Sequence, residues 1–367
     1  MRSPIDDVIE VFERWLILKD RTSVYAVLGA VAANLLPGGD PVWLGIIGPP
    51  SSGKTEMLVS LSRLPFVVHG SALTPASFLS ATPKKDQDKE ATGGLLRQIG
   101  AFGIIVLKDF TTMLSLRPEA NAEVFAVLRE VFDGRYTRHV ATDGGRTLSW
   151  RGKAGLVFAA TNDFDRHHAA ITAMGDRSLL IRLAPLKDQY KRALEHTGEA
   201  TQQMRNELAG AVARLFEAVK NNKPRRLILK EEERIGRLVE LAVLLRATVD
   251  RDPYTREIQV VHGAEGTARL FLCLERLLAG LDTLGVDRET ALMVVERVAM
   301  DSVPPIRRRA YEYLTGVALQ VETADVAVWL GLPTNTVRRH LEDLAAYGLI
   351  KLVPGGNGEA DQWEALV

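Results

Sequence analysis

Eight consecutive residues, Gly48-Pro49-Pro50-Ser51-Ser52-Gly53-Lys54-Thr55, carry the spacing G-x-x-x-x-G-K-[ST]. That spacing suits phosphate. The glycines let the backbone turn tightly, so that successive N–H groups and the positive end of a following helix face one anion. An ammonium at Lys54 reaches the β- and γ-phosphates, and a hydroxyl at Thr55 ligates Mg²⁺. Phosphoryl chemistry also needs a carboxylate at the end of a neighbouring strand, to hold the metal and polarise water. The apolar run Gly103–Leu107 ends in Lys108-Asp109-Phe110, which makes Asp109 the candidate. A later apolar run ends in Thr161-Asn162, where the Asn162 amide would orient an attacking water. Arg177, in Gly175-Asp176-Arg177-Ser178, is a candidate for an arginine supplied across a subunit interface.

These groups need a scaffold. Val42–Ile47 is a short apolar run that reads as a buried strand, and Glu56–Leu61 has the apolar spacing of a helix. Strand, glycine loop and helix together argue against a chance glycine turn. Further strands are expected at Phe66–His69, Gly103–Leu107, Leu156–Asn162 and Ser178–Leu183, with an amphipathic helix over Glu119–Phe132. Strands alternating with helices across residues 42–186 predict an α/β core with a parallel sheet. Residues 1–41 read as an N-terminal helical segment. Within it, the uncharged run Thr22–Gly39 contains Asn34 and Pro37 and predicts a buried helix ending at Leu36, not a membrane span. Thr82–Thr92 is polar and reads as a surface loop.

From Lys187 the pattern turns helical and charged, with helices expected over Gln203–Val219, Glu231–Val249, Thr267–Leu284 and Arg288–Ala299. Pro304-Pro305 marks a boundary, and residues 304–367 read as a separate small domain.

The chain has 46 Lys+Arg against 46 Asp+Glu, so any nucleic-acid surface must be a local patch. The single cysteine, Cys273, excludes a disulfide framework within the chain and fits a reducing, cytoplasmic setting. Met1–Asp7 has no basic segment leading into an apolar core, so no secretory signal is expected. His167-His168 has no evident third metal ligand, and a surface turn is the simpler reading.

The order of phosphate loop, acidic strand end, strand-end asparagine, arginine and helical region resembles an AAA+ ATPase. The resemblance covers about residues 42–300 and implies ATP and Mg²⁺ as cofactors, an α-helical lid over 187–303, and assembly into a ring, typically a hexamer. Arg269, in Gly266-Thr267-Ala268-Arg269, sits where the family's lid arginine starts a helix. A finer resemblance is to the branch containing the MCM helicases, marked by a β-hairpin before the strand that ends at Asn162. Two features carry it: Leu73–Phe78 followed by a polar insertion, and Tyr136–Trp150, two alternating runs joined through Asp143-Gly144-Gly145. In this branch the hairpin projects into a central pore and, in the helicases, grips DNA. Arg135, Arg138, His139, Arg146, Arg151 and Lys153 crowd the segment here, with Arg138, His139 and Arg146 as the DNA candidates. Ordinary surface charge on a solvated hairpin is the alternative.

The chain departs from the helicase pattern at one place. Lys108 falls where the helicases have the metal-binding Asp, and Asp109 where they have the catalytic Glu. A cation there repels Mg²⁺. Either Asp109 serves alone with Lys108 turned away, or hydrolysis is slow.

Ala324–Leu330, the turn Gly331-Leu332-Pro333 and Thr334–Leu344 read as helix–turn–helix, followed by a strand, a glycine-rich turn and a strand. The whole resembles a winged helix, as found at the end of MCM helicases. Asn335, Arg338 and Arg339 are its DNA candidates, with His340 beside them. Residues 301–367 carry 9 Asp+Glu against 6 Lys+Arg, which leaves a protein-interaction role open. Two functional classes are therefore expected: an MCM-like helicase or translocase, possibly of a mobile element, or a nucleotide-controlled switch or loader that docks on DNA or a protein.

Overall fold

The computed structural model describes residues 3–18, 20–70, 73–80, 92–141, 145–167, 177–185, 199–317, 319–356 and 360–366. The polar insertion at 82–91, the hairpin tip at Asp143-Gly144 and His168 lie outside the described residues. Chain contacts divide the protein into two units, 1–228 with 272–298, and 229–271 with 299–367.

The first unit is built on five parallel strands: β1 (Trp43–Ile47), β2 (Val67–Gly70), β3 (Phe102–Leu107), β6 (Lys153–Ala160) and β7 (Ser178–Arg182). The strands β4 (Arg135–Val140) and β5 (Arg146–Arg151) form a separate antiparallel ribbon. The sheet order is β2-β3-β6-β1-β7. β1 and β3 are apolar at every buried position because both of their faces are covered, the usual state of a parallel sheet. The connection leaving β1 runs toward β2, whereas the one leaving β6 passes to β7 on the other side. The β1/β6 boundary is thus a topological switch point, and the crevice at its carboxyl end is where open α/β sheets hold ligands.

Helix α1 (Pro4–Trp15) starts with Ser3 and Asp6 in a reciprocal capping box and buries Ile5, Val8, Ile9 and Phe12. Helix α2 (Thr22–Leu35) is buried on nearly every side, as its uncharged sequence predicts. Its buried Asn34 is satisfied by Val42 N–H and by the carbonyls of Ala30 and Val42. The carbonyls at its C-terminal end take donors from two cations, Lys153 to Leu36 and Gly38, and Arg276 to Ala33 and Leu36. The helices of the sheet region are α3 (Lys54–Val59), α4 (Pro75–Phe78), α5 (Leu95–Ile99), α6 (Thr111–Leu114) and α7 (Pro118–Phe132). Helix α8 (Glu199–Val219) joins α3 through a bidentate ion pair, Arg205 to Glu56 at 2.8 and 2.9 Å. It joins α1 through Trp15 Nε1 to Glu207 at 2.8 Å.

Among the helices expected to form one lid, α8 belongs to the first unit and α9 (Leu229–Arg246) to the second. In α10 (Thr267–Thr283) the division falls after residue 271, and in α11 (Arg288–Asp301) after residue 298.

The second unit contains the ribbon β8 (Val249–Arg251) and β9 (Ile258–Val261), then α12 (Pro305–Val317), β10 (Val321–Glu322), α13 (Thr323–Leu330), α14 (Thr334–Ala346), β11 (Ile350–Val353) and β12 (Gln362–Ala365). The last three strands form an antiparallel sheet in the order β10-β12-β11. Gly331 closes α13 in the left-handed conformation, which makes the tight turn into α14. Asp343 of α14 is buried and accepts from Arg307 at 2.8 Å and from Arg251 at 2.6 Å. A buried carboxylate needs this pairing to stay charged. No helix among the described residues is long and apolar enough to cross a membrane.

Candidate functional site

The loop between β1 and α3 lies at the switch point. Gly48 N–H bonds Ala160 O at 3.2 Å, which ties the loop's start to the end of β6. Gly53, with φ 86°, takes the left-handed conformation that glycine adopts without strain and launches α3. The Lys54 ammonium folds across its own loop, donating to Gly48 O at 2.7 Å and Pro49 O at 2.6 Å, with Ser52 Oγ at 3.4 Å. Burial holds Lys54 below the ordinary lysine value, and the Asp109 carboxylate acts in the opposite direction.

Asp109 is not on the strand beside β1. It follows β3, with β6 between, so Asp109 and the loop lie on either side of the end of the strand that leads to Asn162. Register fixes this alignment. Ala160 is level with Ile47, Phe158 with Leu107, and Phe110 N–H bonds Ala159 O at 2.8 Å. Thr161 N–H donates to Thr111 Oγ1 at 2.9 Å, which joins the two catalytic-candidate turns directly. Both turns are anchored by buried rings one or two residues on. Phe110 packs on Phe158 at 4.3 Å between centroids, and Phe164 on Phe158 at 5.9 Å. Gly45 of β1 makes room for this cluster, since a Cβ there would lie 2.5 Å from the Phe158 ring.

Asp109 also has a local duty. Its Oδ1 accepts from Thr111 N–H at 3.0 Å and Thr112 N–H at 3.3 Å, and its Oδ2 accepts from the Thr112 hydroxyl. The carboxylate thus takes the first two N–H groups of α6 from the residue before its N-cap, Phe110. Lys108 is exposed, and its charge is felt by His69 on β2, whose burial and this neighbour both lower its pKa. The exposed Asn162 opens a 3₁₀ turn, Asn162–His167, clamped by a bidentate pair between Asp165 and Arg182 at 2.7 and 2.8 Å.

Mg²⁺ is usually bound through one or two carboxylates together with substrate phosphates and water. The donor set of Thr55 and Asp109 fits that pattern. No cluster of three or more His, Cys, Asp or Glu among the described residues makes an all-protein metal cage.

The Arg177 side chain is only 10% exposed, lies 3.5 Å from Asp133 and sits over the Phe132 ring at 5.3 Å. In this conformation its guanidinium is engaged within its own chain. Arg269 falls in the second unit. Within the first unit, Arg297 lines a cavity beside the phosphate loop together with Ile17, Leu18, Asp20, Ser52 and Met57. Arg297 also donates to Arg182 O at 3.1 Å. Nothing local in the sequence distinguishes Arg297, Ile17, Leu18 or Asp20, because they reach the loop only through tertiary folding.

The ribbon β4–β5 has two unlike faces. Tyr136 and Trp150 are each 6% exposed, and Trp150 Nε1 donates to Gly100 O at 2.7 Å. Arg138, Val140, Arg146 and Leu148 share their side by the strand period, and Arg138 donates to Leu79 O at 2.5 Å. Two of the three hairpin candidates, Arg138 and Arg146, are therefore half-buried and point inward. His139 stands on the outer face, 3.1 Å from Thr147 Oγ1. Arg135, Thr137, Thr147, Ser149 and Arg151 share that exposed face. Lys153 caps α2 and is not part of the ribbon.

On α14, Asn335, Arg338 and Arg339 are exposed, with Arg338 held by Glu342 at 3.2 Å. His340 turns inward to the Asp343 cluster. Burial, reinforced by Arg307, Arg251 and Arg339, pushes it down to about 4, despite the opposing pull of Asp343.

No protein-family model matches the sequence, and no curated protein matches it. Among solved structures the chain is similar to the C-terminal region of NrS-1 in its A-form apo structure, with 13% identity and a TM-score of 0.29. That match covers 57% of this chain and 43% of the other, so the chain spans less than half of that region's length. It is also similar to NtrX from Brucella abortus, solved in complex with ADP, with 14% identity and a TM-score of 0.29, covering 92% of this chain and 71% of that one.

Proposed function

We propose that the chain is an ATP-binding P-loop ATPase of the AAA+ type that acts on DNA. The observation that carries this reading is the placement of the phosphate loop at the switch point, with Asp109 following β3 at the same carboxyl edge and the Asn162 strand between the two. In it, the loop N–H groups and Lys54 hold the β- and γ-phosphates, and Ile17, Leu18 and Met57 offer the base an apolar wall. When bound, Mg²⁺ would be held by Thr55, Asp109 and phosphate oxygens, and would neutralise charge at the transferring phosphoryl group. Asp109 polarises the attacking water and Asn162 positions it.

Turnover is slow in this reading. Asp109 gives acceptor capacity to the first turn of α6, and Lys108 stands where a second carboxylate would assist. Slow turnover favours a nucleotide-controlled switch or loader. The exposed cationic face of the β4–β5 ribbon favours a second reading, an MCM-like translocase that grips backbone phosphates. Ring assembly, with Arg177 acting on a neighbour's ATP, would require that side chain to leave Asp133 and Phe132. The helix–turn–helix and three-stranded sheet of the second unit support a winged helix, with Asn335, Arg338 and Arg339 toward DNA.

ATP turnover measured with and without DNA tests this function. DNA-stimulated turnover supports the motor; ATP binding with little turnover, DNA or not, supports the switch. Failure to bind ATP at all would end both.

A further inference from the structure

The first unit carries a second cationic site, built from the segment just after α3 and from α8. A groove runs between α1, α8 and the segment after α3, lined by Arg14, Arg63, Gln203, Asn206, Gly210 and Arg214, with Glu199 and Glu207 also on its wall. Glu207 is already committed to Trp15, Arg14 and Gln203. Arg63 and Arg214 are different. Among the described residues neither has a carboxylate partner, and Arg63 donates to the side-chain oxygen Oδ1 of Asn206, at 3.4 Å. Yet the two guanidiniums converge. A Cβ built on Gly210 would lie 3.2 Å from Arg63 Nη1 and 3.3 Å from Arg214 Nη1. A glycine in the interior of a 21-residue helix is costly, and here it clears the point where two like charges meet. Two planar guanidiniums brought together without a carboxylate between them make a fork for an oxyanion.

We propose that Arg63 and Arg214 form an anion clamp over Gly210 that binds a phosphate group, supplied by a nucleic-acid backbone or by a free phosphate compound. Guanidinium forks match tetrahedral phosphate, and the groove is open enough to admit a polyanion from its side.

The test uses the full chain in a Lys54→Ala background, so that the phosphate loop contributes little. Pyrophosphate binding is followed by calorimetry, and binding of a short fluorescein-labelled DNA single strand by anisotropy. Arg63→Gln and Arg214→Gln should each weaken one or both probes by about tenfold. Gly210→Ala removes no charge and displaces the two guanidiniums by only a few tenths of an ångström; it should raise Tm, because alanine suits a helix interior better, and weaken binding less than either glutamine variant. That pairing separates lost binding from lost folding. Loss confined to DNA assigns backbone phosphate, loss confined to pyrophosphate assigns a free ligand, and mutual competition assigns both to one clamp. Unchanged affinity of both probes in Arg63→Gln and Arg214→Gln overturns the proposal.

Discussion

Arg135 stands directly opposite Arg151 across the β4–β5 ribbon, both exposed and on the same face. Like charges in that position oppose pairing by a few tenths to about 1 kcal/mol. An anion between them reverses the sign. Arg135→Ala and Arg151→Ala should therefore each weaken DNA binding and lower the salt slope of log affinity by about one. Arg138→Ala should instead destabilise the fold by about 1–3 kcal/mol, because it leaves Leu79 O without its donor, with little change in the salt slope. Anisotropy across a salt series, with denaturant unfolding beside it, separates the two. A reversed pattern would place the DNA face on the inner side of the ribbon.

Lys54→Ala removes an ammonium that bonds Gly48 O and Pro49 O and that the model of phosphate binding requires. A charge-assisted contact contributes about 1.5–3 kcal/mol, so ATP affinity should fall by about tenfold or more in calorimetry. Unaltered affinity would remove the loop from the nucleotide site.

Asp109 is held by Thr111, Thr112 and the Thr112 hydroxyl. Thr112→Val takes away the hydroxyl and leaves the backbone donors, which releases Oδ2. Steady-state ATP turnover should rise several-fold, whereas Asp109→Asn should abolish turnover and keep ATP binding. If Thr112→Val turns over at the parent rate, bonding to the first turn of α6 does not restrain the carboxylate.

His340 gives a pH prediction. Its folded value, about 4, lies below the usual value of 6.5, so between these limits the unfolded chain binds the proton and the folded chain does not. Stability from this group is present above pH 6.5 and is lost as pH falls toward 4. Lys153 shows the same sign at higher pH. Burial, with Arg276 beside it, lowers it to about 8, so stability should rise between pH 8 and 10.5 as the unfolded lysine keeps its proton longer. The His340 imidazole should titrate near 4 by NMR, and Lys153→Gln should flatten the alkaline rise seen in denaturant unfolding. A His340 midpoint near 6.5 would mean that the side chain is solvated.

Local chemistry made much of this protein legible. The phosphate loop is one contiguous string, so its glycine spacing and Lys54 are readable without knowing what packs around them. The buried strands stand out as apolar runs: Phe102–Leu107 and Ser178–Arg182 lie within a residue or so of where periodicity places them. Helices after residue 199 are equally clear, because one apolar stripe per turn is a local property. The outward face of the ribbon was also within reach. Tyr136 and Trp150 mark the buried side, and the strand period then turns Arg135 and Arg151 outward and Arg138 and Arg146 inward.

Tertiary structure alone decided the rest. Sheet order is set by pairing between strands far apart in the chain, and it put β6 between the phosphate loop and Asp109. Long-range packing brought Arg297, Ile17, Leu18 and Asp20 to the loop, closed Arg177 against Asp133, and turned His340 into a buried cluster. A charged side chain on a helix reads the same in sequence whether it meets solvent, a carboxylate or a ligand. Its partner is chosen by the fold, because the electrostatic and desolvation energies that decide among them depend on distance and burial, not on position along the chain.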